Sequence, residues 1–458
     1  MEGQGLTADV DPIDGLLEGE LLGRSFDCEC GASHHVPTRL VRCGRGALDT
    51  VPETAAELCG AASALVVADV RTWRVAGDQV YRGLRSAGRA ERRIVPDGSD
   101  GPPHASVDLV DELEAVTPDR FDLYVAVGSG TVNDLTKELA GRRGRPYVAV
   151  ATAASMNGYT SSIVALLEGG LKTTRPAPPP LAVVADSEVL SAAPLELTLA
   201  GLGDLVSKPF CGCDWWLASV VRGDTYCPLP ARILDQAFDG ALEVFPRLAG
   251  RDPDAVLLLA KLLIVSGMTM TIAGSSAPAS GGEHLLSHFW DMTRLRDGRA
   301  IGLHGAQVGV ASVAMNALYE RVLEHGLEGA SFEAADVDET ELERVFGDLT
   351  GAVRPQYRAK LASRSARDVE VLDQRRPDVE RAIAEVLASG KKVRSALAGS
   401  GAPITAGAIG VGRSELASAL RYGRWVRNRY TILDLAADLG LLDRFAADYP
   451  DREIGWFA

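Results

Sequence analysis

The amino-acid sequence predicts an N-terminal α/β domain with a parallel sheet, followed by an all-helical C-terminal domain. Two observations predict this arrangement. Up to about Leu190, short apolar runs alternate with amphipathic segments, which is typical of parallel strands connected by helices. After about Leu195, long stretches rich in Ala and Leu dominate, and runs of β-branched residues become rare. The length of 458 residues agrees with two or three domains.

These changes of pattern give the domain boundaries. Residues 1–40 show weak periodicity and are predicted to be an N-terminal arm or an edge ribbon. Residues 41–194 are predicted to form the α/β domain and residues 195–458 the helical domain, with the boundary near Pro194.

The α/β pattern can be assigned element by element, because most of the apolar runs are short, as expected for strands buried on both faces. Strands are predicted at Ala64–Asp69, Arg92–Gly98, Phe121–Gly130, Pro146–Thr152 and Leu181–Leu190, and helices at Val80–Arg89, Val107–Thr117 and Thr131–Gly141. The proline-rich stretch Thr174–Pro180 is predicted to be a rigid surface loop.

The second half of the chain is predicted to be helical throughout. Helices are expected at Ala231–Leu248, Ala255–Ala273, His304–Glu324, Val379–Leu387 and Ser414–Leu439. The longest apolar run, Val256–Gly274, is interrupted by Lys261, Ser266 and two threonines. We therefore predict a buried helix there and no membrane span.

Composition excludes several classes of protein. Hydrophobic residues make up 46% and charged residues 24%, the balance of a globular protein with a sizeable core. The net charge of −15 disfavours nucleic acid and anionic membranes as partners. The seven cysteines are an odd number, and residues 1–15 lack the basic and apolar regions of a signal peptide. A reducing, cytoplasmic location is therefore predicted.

A glycine-rich stretch, GSGTVND at Gly128–Asp134, follows one apolar strand and begins the next helix. Glycines there let a phosphate approach the backbone, and the helix N-terminus offers free N–H groups. The alternative is a plain tight turn. Asp69, at the end of the first strand, is placed to hold the ribose hydroxyls of a dinucleotide or only to begin a turn.

A second polar stretch, ATAASMNGYTSS at Ala151–Ser162, follows the next strand. Small hydroxylated residues with Asn and Gly at the end of a strand are typical of ligand loops, although a ligand-free polar loop has the same composition. Only 7 of the 47 basic residues are Lys, and Lys137, Lys172 and Lys208 each lie in or beside these stretches. Lys suits a point contact to a phosphate or a developing oxyanion, although chance also explains any single one.

Metal-ligand residue types are concentrated in the helical half. His284 and His288 are spaced i, i+4 and so share one helix face, and His304 begins the next predicted helix. Asp204 is predicted at another helix start. One Asp with two or three His is the donor set of a catalytic metal with open positions, although paired His residues are also common on surfaces or in hydrogen-bonded cores.

Two cysteine stretches are interpreted as structural. FDCECGASHH brings Cys28, Cys30, His34 and His35 together, but the C-x-C spacing is tight and no second pair follows at a standard distance. No zinc site is predicted there. Cys211 and Cys213 in CGCDWW are predicted to be buried packing residues.

In order along the chain, the sequence contains GSGTVNDLTK, TAASMNGYTSS, LAVVADSEVL, AGLGDLVSK, YCPLPA, PASGGEHLLSHFWDM, LHGAQVGV and VRNRYTILDLA. From about Phe26 to Leu442 it resembles the bacterial branch of the sn-glycerol-1-phosphate dehydrogenase family. That family belongs to the superfamily of dehydroquinate synthase, glycerol dehydrogenase and iron-dependent alcohol dehydrogenases. The resemblance implies a dinucleotide domain, a helical metal-binding domain and an active site in the cleft between them. It also implies a homodimer.

The implied reaction is hydride transfer from NADH or NADPH to C2 of dihydroxyacetone phosphate, giving sn-glycerol 1-phosphate. The implied ligands of one zinc or nickel ion are Asp204, His284 and His304. The implied cofactor contacts are Asp69, Gly128, Ser129, Gly130, Thr131, Asp134, Thr152 and Ser155. Substrate contacts are expected from Asn157, Lys172 and His288, and catalytic roles from His288, Asn157 and Lys208.

Three positions depart from the family pattern. Asn157 stands where Asp is usual, Leu202 where an aromatic residue is usual, and Ala306 where an acidic residue is usual. The departures keep three alternatives open: a reductase of another phosphorylated or polyol carbonyl, an NAD-recycling cyclase like dehydroquinate synthase, and a non-catalytic descendant. Arg71, close to Asp69, also leaves open the choice between NAD and NADP.

Overall fold

A computed structural model of the chain describes residues 12–60, 63–98, 101–169, 171–238, 240–330 and 338–453. Residues 1–11, which make up most of the segment predicted to lack the features of a signal peptide, lie outside these ranges. So do residues 454–458, at the end of the predicted helical domain.

The N-terminal part is built on a six-stranded parallel sheet with the strand order β3-β10-β7-β6-β4-β5. Two antiparallel ribbons, β1–β2 and β8–β9, lie outside it. The strands are β1 Ser25–Asp27, β2 Ser33–His35, β3 Leu40–Gly44, β4 Ala64–Asp69, β5 Ala90–Val95, β6 Leu123–Gly128, β7 Tyr147–Ala151, β8 Ile163–Glu168, β9 Leu171–Pro176 and β10 Ala182–Asp186. Because β5 and β6 lie on opposite sides of β4, the strand order reverses there, and such a point is where open parallel sheets bind ligands.

The apolar runs form strands because both faces of the sheet are covered. Along β4, Leu65 and Val67 pack into one core, whereas Val66 and Ala68 pack into the other. Side chains alternate between the two faces of a strand, so a strand buried on both faces must be apolar at every position. This is why β4, β6, β7 and β10 were recognisable as continuous apolar runs.

The rest of the described chain is mainly helical. The helices are α1 Pro12–Gly15, α2 Val51–Cys59, α3 Val70–Thr72, α4 Asp78–Ala87, α5 Val107–Ala115, α6 Gly130–Arg142, α7 Ser187–Ala192, α8 Leu195–Leu205, α9 Lys208–Arg222, α10 Pro228–Phe238, α11 Ala241–Val244, α12 Pro253–Ala273, α13 Gly282–Arg296, α14 His304–His325, α15 Glu339–Phe346, α16 Thr350–Ala362, α17 Ala366–Gln374, α18 Arg376–Ser400, α19 Arg413–Tyr422, α20 Ile432–Asp438 and α21 Leu442–Arg452. By length and composition α12 could cross a membrane, but 78% of its most apolar window is buried inside the structure.

The structure corrects several predicted elements. The predicted loop Thr174–Pro180 begins as strand, because Thr174–Pro176 end β9 and pair with β8. The prolines fall at the end of this two-stranded ribbon, where the missing N–H groups cost little. The predicted strand Leu181–Leu190 stops at Asp186, whose carboxylate accepts from Glu188 N (3.0 Å) and so caps α7. The predicted helix Ser414–Leu439 is divided into α19 and α20.

Glycines bring the two halves of the chain into backbone contact. A Cβ atom added to Gly201 of α8 would overlap the Ala154 carbonyl beyond β7, and one added to Gly305 of α14 would overlap the Ala200 carbonyl. Gly203 and Gly309 lie against each other where α8 crosses α14. The helices can approach this closely only because these positions carry no side chain.

Replacing Gly201 with Ala is expected to lower the free energy of unfolding by about 1–3 kcal/mol, because the new methyl group forces two backbones apart. Urea denaturation followed by tryptophan fluorescence measures this change. Gly212→Ala in α9 is the matched control, since nothing lies within 4 Å of its Cβ position. The control should raise stability by about 0.5–1 kcal/mol. Equal effects of the two substitutions would contradict the packing argument.

Candidate active site

The predicted metal ligands converge between α8, α13 and α14. Asp204 is the penultimate residue of α8, so its predicted position at a helix start is wrong; the helix begins earlier, after Pro194. His284 lies in the first turn of α13 and His304 is the first residue of α14. Asp204 Oδ1 and His284 Nε2 are 3.7 Å apart, a separation compatible with two ligands of one metal ion. The His284 and His304 ring centroids are 5.2 Å apart.

Glu283 fixes the orientation of His284. Its Oε1 lies 2.8 Å from His284 Nδ1. Burial raises the pKa of Glu283, but its hydrogen bonds with His284, Cys211 and Gly281 together lower that pKa to about 2. An ionised carboxylate only accepts hydrogen bonds, so the imidazole carries a proton on Nδ1, and Nε2 is the ring nitrogen that faces Asp204.

A chain of hydrogen bonds fixes His304 in the same way. Ser287 Oγ donates to Gln307 Oε1 (2.7 Å), so the hydroxyl accepts from His304 Nδ1 (3.0 Å). Gln307 Nε2 donates to Asp291 Oδ1 (3.0 Å). Asp291 Oδ2 lies 3.6 Å from Lys172 Nζ, which connects this network to β9. His304 Nε2 is left with its lone pair, the form that binds a metal.

His288 lies beside these ligands and has a free ring nitrogen. Its ring stacks against His304 with centroids 5.8 Å apart, and its buried Nδ1 has no hydrogen-bond partner in the described structure. Burial first, and then the positive charges of Arg427 and Lys172, lower the pKa of His288 well below its ordinary value of 6.5. His288 is therefore neutral at physiological pH.

Asn157 and Lys208 hold the Asp204 carboxylate. The Asn157 backbone N–H donates to Asp204 Oδ2 (3.0 Å), and its Nδ2 donates to Oδ1 (3.3 Å). Lys208 Nζ donates to the same Oδ1 (3.1 Å). The resemblance implied a catalytic role for Lys208, and in the structure its buried ammonium group is hydrogen-bonded to Asp204.

The glycine-rich turn and the following loop meet at the carboxyl ends of β6 and β7. Gly128 closes β6, and a Cβ there would lie 2.5 Å from Val132 Cβ, so the tight strand-to-helix turn requires glycine. Ser129 precedes α6 and its Oγ contacts Ser155 Oγ. Thr152 N donates to Gly128 O (3.2 Å). Gly130 and Thr131 form the first turn of α6, whose N–H groups face this edge.

Other residues predicted for the cofactor make contacts within the protein. Asp134 Oδ2 accepts from Ala165 N (3.2 Å) in β8, a contact that ties the ribbon to α6. Asp69 Oδ1 accepts from Arg71 N (2.7 Å) and from Thr72 N (2.8 Å), so it caps α3 at the end of β4. The Arg71 guanidinium pairs with Asp97 (2.6 Å).

Cationic side chains lie near enough to His288 for their charges to lower its pKa. Lys172 extends from β9, and Arg427 Nη1 donates to Thr174 Oγ1 (3.1 Å) on the same strand. Arg429 is held by the Ser280 carbonyl and by Ser276 Oγ (3.1 Å). Burial, and then the neighbouring Arg429, lower the pKa of Arg427 to about 10. Burial and the charge of Arg429 both make the cationic form of Arg427 less favourable. An anion bound beside Arg427 would offset this cost, so the position favours an anionic ligand.

Sequence reasoning missed several residues of this site. Glu283, Ser287 and Asp291 recur at i, i+4 and i+8 along α13, on the turns that carry its two predicted histidines, and this spacing was a usable signal. Arg427 and Arg429 lie in the irregular segment between α19 and α20, which was predicted to be helix. Their place at the site depends on tertiary contacts with β9 and with the segment before α13.

Comparison with known proteins shows the family of this chain. Residues 42–194 match the family model described as iron-containing alcohol dehydrogenase. A glycerol-1-phosphate dehydrogenase [NAD(P)+] of Halalkalibacterium halodurans is 34% identical over 64% of this chain and 74% of its own length. The protein of the same name from Methanosarcina mazei is 34% identical over 61% and 76%, and that from Bacillus licheniformis 29% identical over 91% and 93%. The chain belongs to the glycerol-1-phosphate dehydrogenase family.

Solved structures of other proteins have the same fold as this chain. A glycerol dehydrogenase from Schizosaccharomyces pombe aligns with a TM-score of 0.58 at 17% identity, covering 91% of each chain. An iron-containing alcohol dehydrogenase from Thermococcus thioreducens aligns with a TM-score of 0.59 at 15% identity, covering 90% of this chain and 99% of its own. The predicted fold class, an α/β domain with a parallel sheet and a helical domain, is confirmed.

Stability is expected to fall as the pH drops below about 6.5, because His288 and His304 are neutral in the folded protein and protonate on unfolding. Both folded pKa values are lowered, so the unfolded state binds more protons in that range. Each histidine contributes a slope of about 1.4 kcal/mol per pH unit. Thermal midpoints from about pH 8 to about pH 5 measure the slope.

His288→Gln should make this pH dependence shallower, because it removes one of the two groups that protonate on unfolding. A slope in His288→Gln as steep as in the unaltered protein would show that His288 does not titrate on unfolding.

Proposed function

We propose that this protein reduces C2 of dihydroxyacetone phosphate with hydride from NADH or NADPH, giving sn-glycerol 1-phosphate. One observation carries the proposal: the loop of residues 152–157 spans the glycine-rich turn and the carboxylate–histidine cluster. Ser155 contacts Ser129 at one end of the loop, and Asn157 donates to Asp204 at the other. A dinucleotide on the turn would thus lie next to a substrate held at the cluster. The names of the bacterial and archaeal relatives support the same reaction.

The dinucleotide would lie across the carboxyl ends of β4, β6 and β7. The α6 N-terminus, with Gly130 and Thr131 in its first turn, offers N–H groups to the pyrophosphate. Asp69 lies at the end of β4, within the same crevice. Because Asp97 already neutralises Arg71, the structure supports NADH over NADPH. When bound, the reduced nicotinamide supplies the hydride.

Asp204, His284 and His304 would hold one zinc or nickel ion. The donor set fits: in each imidazole Nδ1 is engaged by Glu283 or Ser287, which leaves Nε2 for a metal, and imidazole nitrogen with carboxylate oxygen is a combination that both metals accept. The metal, when bound, supplies a Lewis acid that polarises the substrate carbonyl. Glu283 and Ser287 keep the two histidine rings in the metal-binding tautomer throughout.

His288 would transfer the proton that completes the reduction. A neutral imidazole donates the proton on one nitrogen while its other nitrogen accepts a proton from water. The unpartnered Nδ1 of His288 and its place between the predicted metal ligands and the cationic residues suit that role. Asn157 and Lys208 act indirectly by holding Asp204, so we assign them positioning roles.

Lys172 and Arg427 would bind the substrate phosphate. Lys172 lies on β9, Arg427 is hydrogen-bonded to Thr174 of that strand, and the charges of both act on His288. A dianionic phosphate would neutralise the buried guanidinium and also compete with Asp291 for Lys172. This arrangement places the phosphate-bearing end of the substrate toward the β8–β9 ribbon.

A homodimer and a cytoplasmic location also belong to the proposal. The first follows from the resemblance and the second from the unpaired cysteines, all seven of which are free in the structure. Light scattering during size-exclusion chromatography tests the first.

The metal-loaded protein is expected to oxidise NADH when dihydroxyacetone phosphate is added, and chelation should abolish this activity until zinc or nickel is restored. Loss of absorbance at the nicotinamide band measures turnover. Asp204→Asn should reduce the rate by at least about 100-fold. Turnover that survives complete metal removal would refute the assigned ligands, and product formation with no net loss of NADH would indicate an NAD-recycling cyclase.

The Asn157→Asp variant, measured in the same assay, tests whether turnover depends on the amide at this position. It keeps the backbone donor to Asp204 but removes the Nδ2 donor. Turnover in both proteins would show that Asn157 is a tolerated variation. Turnover only in the variant would show that the natural substrate differs from dihydroxyacetone phosphate.

Arg427→Met is expected to raise KM for dihydroxyacetone phosphate by about 10- to 100-fold, because it removes one charge-assisted hydrogen bond to the phosphate. Arg427→Lys should restore part of the loss. Steady-state kinetics with unphosphorylated dihydroxyacetone provide the control, since Arg427 has no phosphate to bind there. A parallel loss with both substrates would place Arg427 in the scaffold and not at the phosphate.

A further inference from the structure

A second group of metal-ligand side chains lies far from Asp204 in the sequence. The cysteine–histidine cluster consists of Cys28, Cys30, His34 and Cys227, whose sulfur and imidazole nitrogen atoms all lie within 4.8 Å of one another. Three of them lie on the β1–β2 ribbon or its turn, and the fourth immediately precedes α10.

The distances within the cluster match those around one tetrahedral zinc ion. With Zn–S near 2.3 Å and Zn–N near 2.0–2.1 Å, two sulfur ligands lie about 3.8 Å apart, and a sulfur and a nitrogen about 3.5 Å. Here Cys28 Sγ and Cys227 Sγ are 3.7 Å apart. His34 Nε2 is 3.3 Å from Cys30 Sγ and 3.5 Å from Cys227 Sγ.

The backbone around the cluster is shaped for thiolate ligands. Cys28 N donates to Ala32 O (3.0 Å) and Gly31 N to Cys28 O (2.9 Å), so the two ribbon cysteines lie on one tight turn. Gly31 takes φ 84°, which glycine adopts without strain. The backbone N–H of Ala32 donates to Cys30 Sγ, and that of Leu229 donates to Cys227 Sγ.

Packing or a disulfide explains the cluster less well. Cys28, Cys30 and His34 are only partly buried, so these side chains do not fill a core. The 3.7 Å between the two nearest sulfurs is far longer than a disulfide bond, and all the cysteines are free.

The geometry points to a second metal site: we propose that the cysteine–histidine cluster binds a structural zinc ion. Four protein ligands fill the tetrahedron, and such closed sites stabilise folds instead of binding substrate. The ion would fasten the β1–β2 ribbon to the start of α10, beside the ion pair of Glu29 with Arg232. This inference does not depend on the proposed function.

Zinc content separates this site from the one at Asp204. A double variant, Asp204→Asn with His284→Ala, is expected to retain about one zinc ion per chain by mass-spectrometric elemental analysis. Adding Cys227→Ala to it should remove that ion. Cys59→Ala, in α2, is the matched control and should leave the content unchanged. Zinc that persists after Cys227→Ala would overturn the proposal.

Replacing zinc with cobalt identifies the ligand types from the absorption spectrum of the bound cobalt ion. The cobalt form of the Asp204→Asn, His284→Ala protein should show a thiolate-to-cobalt charge-transfer band and the intense d–d bands of tetrahedral cobalt. His34→Cys should retain the metal as a four-thiolate site, and His35→Ala, next in sequence, should retain the original spectrum. Absence of the charge-transfer band, or a disulfide at Cys227 in protein purified with reductant, would refute the site.

Discussion

The contact between α8 and α14 determines the geometry of the candidate active site. Gly203 and Gly309 meet with no side chain between them, and Gly305 lies against the Ala200 carbonyl. Asp204 follows one of these glycines and His304 precedes another, so the approach of the two backbones sets the distance between carboxylate and imidazole. Any added volume at the crossing would separate the two predicted ligands directly, since close-packed helices transmit strain.

The loop after β7 extends this constraint to the parallel sheet. It is confined between α8, through Gly201, and α12, where a Cβ at Gly267 would overlap Thr160 Oγ1. Thr160 Oγ1 donates to Ile264 O (2.5 Å), and Thr271 Oγ1 donates to Thr160 O (2.8 Å). Of the polar interruptions of the apolar helix α12, Thr271 therefore helps to fix the loop that joins the glycine-rich turn to the cluster of predicted ligands.

The sequence could predict those features that depend on local pattern. Strands β4, β6, β7 and β10 are continuous apolar runs, and the ligand residue types are rare enough in this chain to be noticed. Features that depend on contacts between distant residues could not be predicted. The β8–β9 ribbon has a short, mixed pattern, and the cations between α19 and α20 acquire their role only by packing against it. The separation of 199 residues between Cys28 and Cys227 likewise hid the fourth ligand of the cysteine–histidine cluster.

Asn157, which stands where the family usually has Asp, is compatible with the predicted ligand role of Asp204. Three donors from two residues converge on the Asp204 carboxylate: the backbone N–H and Nδ2 of Asn157, and Nζ of Lys208. A second carboxylate at position 157 would face Asp204 in place of the Nδ2 donor, and the two carboxylates would compete for the one charge of Lys208. With Asn157, the carboxylate is satisfied before any metal binds. The amide thus favours a preformed ligand set, whereas an acid there would make the same geometry depend on the bound ion.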